Sequence, residues 1–195
     1  MKTLLYCCLL LMLSCDTAKA QEVPLTKGAA LLFKDVTCMA TNPEKNKVFE
    51  LTGFEIADNG TQFYFKGDTD GAQFPFDAHV YPLDINTDGL EDIGLVFGNT
   101  YTSGGAGSTS LIYIKTQSGD YETNFGYPGS LVFIPTRHQG YPDTMIQGPG
   151  FEYALWTWNG KEYVFKSKIT DKEASKFETI FLEDASNAYV DGLKH

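Results

Sequence analysis

HVYPLDINTDGLEDIGLVF, residues 79–97, contains a polar loop between two apolar runs. The runs HVYPL and IGLVF are short and rich in β-branched and other apolar residues, which predicts strands. Within the loop, side-chain oxygens stand at alternate positions, on Asp84, Asn86 and Asp88, and Gly89 permits a sharp turn. The stretch therefore predicts two neighbouring strands joined by an oxygen-rich loop.

Oxygen atoms at this spacing suit a calcium ion, which takes about six to eight oxygen ligands at about 2.3–2.6 Å. The loop is not an EF-hand, because Leu95 stands where the closing glutamate of a 12-residue loop would be. An acidic turn held by Asx-type hydrogen bonds is the alternative without a metal. The predicted ligands are the side chains of Asp84, Asn86, Asp88 and Asp92 and the backbone carbonyl of Leu90.

Strand-like segments continue over most of the chain. They are rich in β-branched and aromatic residues and are separated by Gly, Pro, Asp and Asn, which predicts antiparallel strands. The segments are 61–67, 74–83, 92–98, 110–116, 130–136, 144–148 and a final hairpin at 151–167. The sequence therefore predicts an α+β fold, mainly β, with an antiparallel sheet of about seven or eight strands and helices near both termini.

The helices are predicted from capping signals. Thr41 and Glu44 have capping-box spacing and Gly53 is placed to end a helix over 41–53. The apolar segment 29–33 is either a short helix or an edge element. Near the C-terminus, the segment that begins at Thr170, again with capping-box spacing, predicts one helix or two short ones.

The hairpin at 151–167 carries both tryptophans of the chain. The Asn-Gly pair at 159–160 predicts a two-residue type I′ turn, with Trp158 opposite Lys161 and Trp156 opposite Tyr163. Trp156, Trp158 and Tyr163 would then share one face. That face is a possible ligand surface for glycan if it is exposed, and the commoner alternative is a packed core face.

Length and charge restrict the function. A chain of 195 residues with 43% hydrophobic residues is sufficient for one domain with a core. The net charge of −10 disfavours nucleic-acid binding, which requires a basic surface. Only Cys38 lies outside the N-terminal segment, so no disulfide framework is expected in the body, and Cys38 is expected to be a small buried apolar residue.

Residues 1–20 predict an export signal, with a basic start and an apolar run over 4–13 that is too short to span a membrane. Cleavage before Gln21 follows the small-x-small rule at Ala-Lys-Ala. Cleavage before Cys15 would instead make Cys15 a lipidated N-terminus. The predicted mature protein is a single domain, 21–195, that is secreted, periplasmic or anchored to the outer membrane through lipid.

The loop resembles the calcium loop of FG-GAP/VCBS-type repeats, which follow the pattern D-x-[DN]-x-D-G-x-x-D before an apolar strand. Carried across by residue, the resemblance implies the five ligands named above. A wider resemblance over 74–165 is to single-domain bacterial lipoproteins of uncharacterised function, through the Gly-rich segment 102–108, the GYPD element at 140–143 and the hairpin at 156–163. A propeller needs several such loops, so the implied fold is propeller-blade-like without being a closed propeller.

These features predict an exported, non-catalytic module of the cell envelope with one structural calcium ion and an unidentified protein or glycan partner. An inhibitor or immunity protein against a wall-degrading enzyme is the alternative, and the loop at 99–109 would then make the contact. An enzyme is the third hypothesis. The sequence has no HExxH motif and no G-x-S-x-G motif, and its three histidines are isolated.

Overall fold

The computed structural model describes residues 23–148, 150 and 152–194. The predicted export signal, the lipidation site Cys15 and the alternative new N-terminus Gln21 lie outside these residues. Within them, no helix is both long and apolar enough to cross a bilayer.

The described chain is mainly β, with eleven strands and five α-helices. In chain order the elements are α1 (Lys27–Leu32), α2 (Asn42–Thr52), β1 (Phe54–Ile56), β2 (Phe63–Phe65), β3 (Ala78–Leu83), β4 (Asp92–Phe97), α3 (Thr100–Ser103), β5 (Thr109–Lys115), β6 (Tyr121–Pro128), β7 (Ser130–His138), β8 (Tyr141–Gln147), β9 (Glu152–Trp158), β10 (Tyr163–Thr170), α4 (Asp171–Ala174), β11 (Ile180–Phe181) and α5 (Leu182–Gly192). Two short 3₁₀ turns, Gly71–Gln73 and Gly104–Ala106, lie in the connections.

The strands form three antiparallel sheets, so the prediction of one sheet with seven or eight strands is wrong. The first is the hairpin β1–β2, the second has the order β3-β4-β5-β6, and the third has the order β10-β9-β8-β7-β11. Gly129 separates β6 from β7 with a φ of 123°, and a Cβ there would lie 2.6 Å from the Gln147 carbonyl oxygen. This tight link lets the chain leave one sheet and start the next.

The β3–β6 sheet is buried on both faces, which explains why a single sheet does not suffice. Ile93 and Leu95 pack on one face in a core shared with α1, α2 and the β1–β2 hairpin. Ile112 and Ile114 pack on the other face, against Leu131 and Phe133 of the third sheet. Strands with two apolar faces need a covering layer on each side. The fold is therefore layered, with the β3–β6 sheet in the middle.

Most of the predicted helix ends are confirmed. Thr41 donates its amide to the Glu44 carboxylate at 2.7 Å, and Gly53 ends α2 in the left-handed region. The segment 29–33 overlaps α1, so the helix alternative is correct there. The C-terminal segment forms two helices, α4 and α5, and β11 lies between them. Helix α3 occurs in mid-chain, where no helix was expected.

The final hairpin forms with a different register from the one predicted. Tyr163 pairs with Trp158 and Phe165 pairs with Trp156 across a four-residue loop, 159–162. The Asn159 side chain accepts hydrogen bonds from the Lys161 and Glu162 amides at 2.9 and 3.0 Å. These contacts stabilise the wider loop, so the two-residue turn is wrong.

Candidate metal loop and the surfaces around it

The loop at 84–92 joins β3 to β4 as predicted, and its side-chain oxygens turn inward. Asp84 accepts the amides of Asp88 and Gly89 at 3.1 and 2.9 Å. Asn86 Oδ1 accepts the same Asp88 amide at 3.1 Å. The loop closes through Thr87 and Gly89, whose φ values of 61° and 83° lie in the left-handed region. Oxygens of Asp84 and Asn86 therefore share one donor.

Asp92 lies at the end of the loop and is only 1% exposed. Its carboxylate accepts the amides of Ile85 at 3.0 Å and Lys115 at 2.8 Å. No described Lys, Arg or His forms an ion pair with it. Burial raises the pKa of Asp92 to about 7, with Asp88 and Asp84 adding to the rise and the two amide hydrogen bonds opposing it. A cation at this position would relieve that penalty.

A second buried carboxylate, that of Asp143, lies beside basic side chains. Asp143 on β8 is 2% exposed, and its oxygens lie 3.0 Å from Lys166 Nζ and 3.3 Å from His138 Nε2. Lys166 reaches it from the bulge in β10, between Phe165 and Ser167. Buried charges are normally paired in this way. Asp143 thus has cationic partners, whereas Asp92, which is equally buried, has none among the described residues.

The four predicted side-chain ligands, Asp84, Asn86, Asp88 and Asp92, all make hydrogen bonds within the loop. Asp88 Oδ1 accepts the Leu90 amide at 2.9 Å, and Asp88 Oδ2 accepts from Asn86 Nδ2 at 3.0 Å. Among the described residues, no three His, Cys, Asp or Glu side chains converge as a ready-made metal site. A calcium site here would also use the Asn86 amide oxygen and the Leu90 carbonyl, which are oxygen ligands of the kind that calcium accepts.

Glu91 is a structural residue that the sequence reasoning missed. Its side chain is buried, and its carboxylate oxygens accept the Met39 amide at 2.9 and 2.8 Å and the Ala40 amide at 2.8 Å. Burial and then the Glu91 charge raise the pKa of the half-buried Cys38 thiol, which disfavours the thiolate form. The sequence signal that could have predicted a buried role for Glu91 is its position directly before Asp92, at the start of an apolar strand.

The loop also contacts the third sheet. Asn86 Nδ2 donates to the Tyr141 hydroxyl at 2.9 Å. Arg137 Nη1 donates to the Ile85 carbonyl at 3.2 Å and to the Gly140 carbonyl. The Tyr141 ring stacks on Trp158 with centroids 3.8 Å apart and an interplanar angle of 17°. The loop conformation is thus connected to a tryptophan in the other sheet.

Replacement of Tyr141 by phenylalanine should lower the free energy of unfolding by about 1 kcal/mol, because the Asn86 Nδ2 group loses one of its two acceptors while the ring stack remains. Urea unfolding followed by tryptophan fluorescence measures this. Tyr153→Phe is the matched control: it removes a hydroxyl that donates to Asp171 at 2.6 Å away from the loop. An unchanged midpoint for Tyr141→Phe would show that the Asn86 contact contributes no stability.

Trp156, Trp158 and Tyr163 share a face, as predicted. Tyr163 is buried and donates its hydroxyl to the Pro142 carbonyl at 2.9 Å. Both tryptophans are partly buried and pack against the core between the second and third sheets. Trp156 lies 4.3 Å from Tyr127, measured between ring centroids, and Tyr127 is 40% exposed. An exposed aromatic surface is therefore confined to the Trp156 end of the face.

No protein-family model matches the sequence, and no curated protein or solved structure is significantly similar to it. The resemblance to FG-GAP/VCBS-type loops therefore rests on the residues of the loop.

Proposed function

We propose that the protein is an exported, non-catalytic module of the cell envelope that binds one calcium ion in the 84–92 loop. The observation that supports this most strongly is Asp92, a buried carboxylate beside a loop rich in oxygens, which has no cationic partner among the described residues. A divalent cation bound by Asp84, Asn86, Asp88, the Leu90 carbonyl and Asp92 would neutralise the clustered charge.

The role of the ion in this proposal is structural. The loop follows β3 and precedes β4, and it contacts the third sheet through the Asn86–Tyr141 and Arg137–Ile85 hydrogen bonds. An ion that fixes the loop would fix this junction between two sheets. The two successive four-stranded meanders, β3–β6 and β7–β10, give the domain its proposed blade-like character. The predicted signal at 1–20 supports export, through either cleavage site.

Thermal unfolding of the purified protein tests the proposal. Calcium added after EDTA should raise the midpoint, and the stabilisation should be about 1.4 kcal/mol when free calcium is roughly ten times the dissociation constant. Magnesium should have a smaller effect, because it demands a rigid octahedral site. Asp84→Ala and Asp88→Ala should abolish the calcium response.

Asp58→Ala provides the matched control, since Asp58 is exposed in the turn after β1. This variant should keep the full calcium response. If the wild-type midpoint does not move in millimolar calcium, the loop is an acidic turn held by its internal hydrogen bonds.

A second candidate is the inhibitor or immunity protein, and one observation favours it. Tyr101 on α3 and Phe74 form an exposed stack, with centroids 5.0 Å apart and exposures of 46% and 51%. Asn99 holds this surface together, since its Nδ2 donates to the Phe74 and Pro75 carbonyls and its Oδ1 accepts the Tyr101 amide. A rigid, exposed aromatic pair is typical of a protein contact. Loss of binding to a muramidase in Tyr101→Ala would support this candidate over the first.

A further inference from the structure

A cavity of about 550 Å³ lies between the third sheet, α5 and the base of the 84–92 loop. Its volume is in the range of small-molecule sites, about 300–1,000 Å³. Most of its wall is apolar, formed by Leu83, Phe133, Ile134, Pro135, Ile180 and Ala185. Ile180 is 45% exposed and Ala188 is also exposed, so the rim of the cavity reaches the surface.

Arg137 is the cation of this cavity and the only arginine in the chain. Its Nη1 donates to the carbonyls of Ile85 and Gly140, which fixes the guanidinium at the rim. Its Nε and Nη2 make no hydrogen bond with a described residue, and no described carboxylate forms an ion pair with it. An arginine held in this way presents a free edge to a planar anion.

Three further polar residues line the cavity, namely Asp84, Thr87 and Tyr189. The Thr87 hydroxyl donates to the Asn86 carbonyl at 2.7 Å. The Asp84 oxygens accept amides within the loop, so its carboxylate is already hydrogen-bonded there. The Tyr189 hydroxyl is buried and lies close to the Glu91 carboxylate, which also accepts the Met39 and Ala40 amides. Arg137 is therefore the polar residue of the wall with free hydrogen-bond donors among the described contacts.

We propose that this cavity binds a small monocarboxylate with an apolar body, whose carboxylate contacts the free edge of Arg137. The apolar body would lie against Phe133, Ile134 and Ile180. A single negative charge fits better than a phosphate dianion, because Asp84 lines the same cavity and the chain carries a net charge of −10. The proposal does not rest on calcium binding.

Calorimetric titration of the purified protein with octanoate tests the proposal, with octanol as the uncharged probe of similar shape. Wild type should bind octanoate saturably and octanol at least about tenfold more weakly, because octanol cannot make the charge-assisted pair. Arg137→Gln should weaken octanoate binding by about tenfold or more. Ala188→Phe should block the cavity and remove saturable binding without touching Arg137.

Two matched control variants test whether the loss of octanoate binding is specific to Arg137 and to the cavity. Lys161→Gln removes one positive charge from an exposed turn, and Asn187→Phe places the same ring on an exposed position of α5 that does not line the cavity. Both should bind octanoate as wild type does. The proposal is overturned if octanoate does not bind saturably at millimolar concentration, if octanol binds equally well, or if folded Ala188→Phe binds like wild type.

Discussion

Replacement of Glu91 by alanine should lower the free energy of unfolding by about 3–5 kcal/mol. The substitution leaves the buried Ala40 amide and the partly buried Met39 amide without their acceptor, and an unsatisfied donor costs about 1–3 kcal/mol when it is buried. It also removes a side chain that is only 1% exposed and so opens a cavity. The segment between α1 and α2 would lose its attachment to the loop.

Urea unfolding measures this effect, with Glu50→Ala as the control. Glu50 lies on α2, and its ion pair within the described structure is with Lys47, at 3.3 Å on the surface, where such pairs contribute little. Glu91→Gln should fall between the two, because an amide oxygen in place of Oε1 still accepts from the Met39 and Ala40 amides, while the NH₂ group in place of Oε2 faces the Met39 amide. A loss below about 1 kcal/mol for Glu91→Ala would contradict the structural role given to this carboxylate.

In the presence of EDTA, the protein should be more stable at pH 5 than at pH 8 by about 2 kcal/mol on account of Asp92. The pKa of Asp92 is about 7 in the fold and 3.8 without it, so the folded state binds the proton more tightly. The stabilisation from this proton is present below the folded pKa and is lost as the pH rises through it. Each unit of pKa difference corresponds to about 1.4 kcal/mol.

Asp92→Asn isolates this contribution from the other carboxylates. The amide does not titrate, so the variant should show a pH dependence flatter than wild type by the same 2 kcal/mol, measured by urea unfolding between pH 5 and pH 8. Asp120→Asn, in the exposed turn between β5 and β6, should follow the wild-type slope. Equal slopes for wild type and Asp92→Asn would mean that Asp92 is ionised throughout this range.

Local signals in the sequence predicted several elements correctly. Thr41, Glu44 and Gly53 define α2 because capping depends on residues within a few positions of one another. The strands on both sides of the loop were predicted for a similar reason, since their composition is apolar over a short run. Strand β6 was missed because Glu122 and Asn124 interrupt its apolar pattern.

Contacts between distant segments were not predictable in this way. The 159–162 loop depends on which amides the Asn159 side chain accepts, whereas the Asn-Gly pair in the sequence favoured a two-residue turn. The division into three sheets depends on both faces of β3–β6 being covered, by α1 and α2 on one side and by the third sheet on the other. These choices follow from side-chain packing over the whole chain.

The sequence by itself determined that Asp84, Asn86, Asp88, Leu90 and Asp92 belong to one loop, because neighbours along the chain remain neighbours in any fold. Only the tertiary structure decided that Asp92 is buried with no cation from the described part of the chain beside it, and that Arg137 and Tyr189 meet Asp84 around one cavity. Arg137 and Tyr189 belong to β7 and α5, elements far from the loop in the chain. Burial and cavity shape arise from the packing of such elements, which no local pattern encodes.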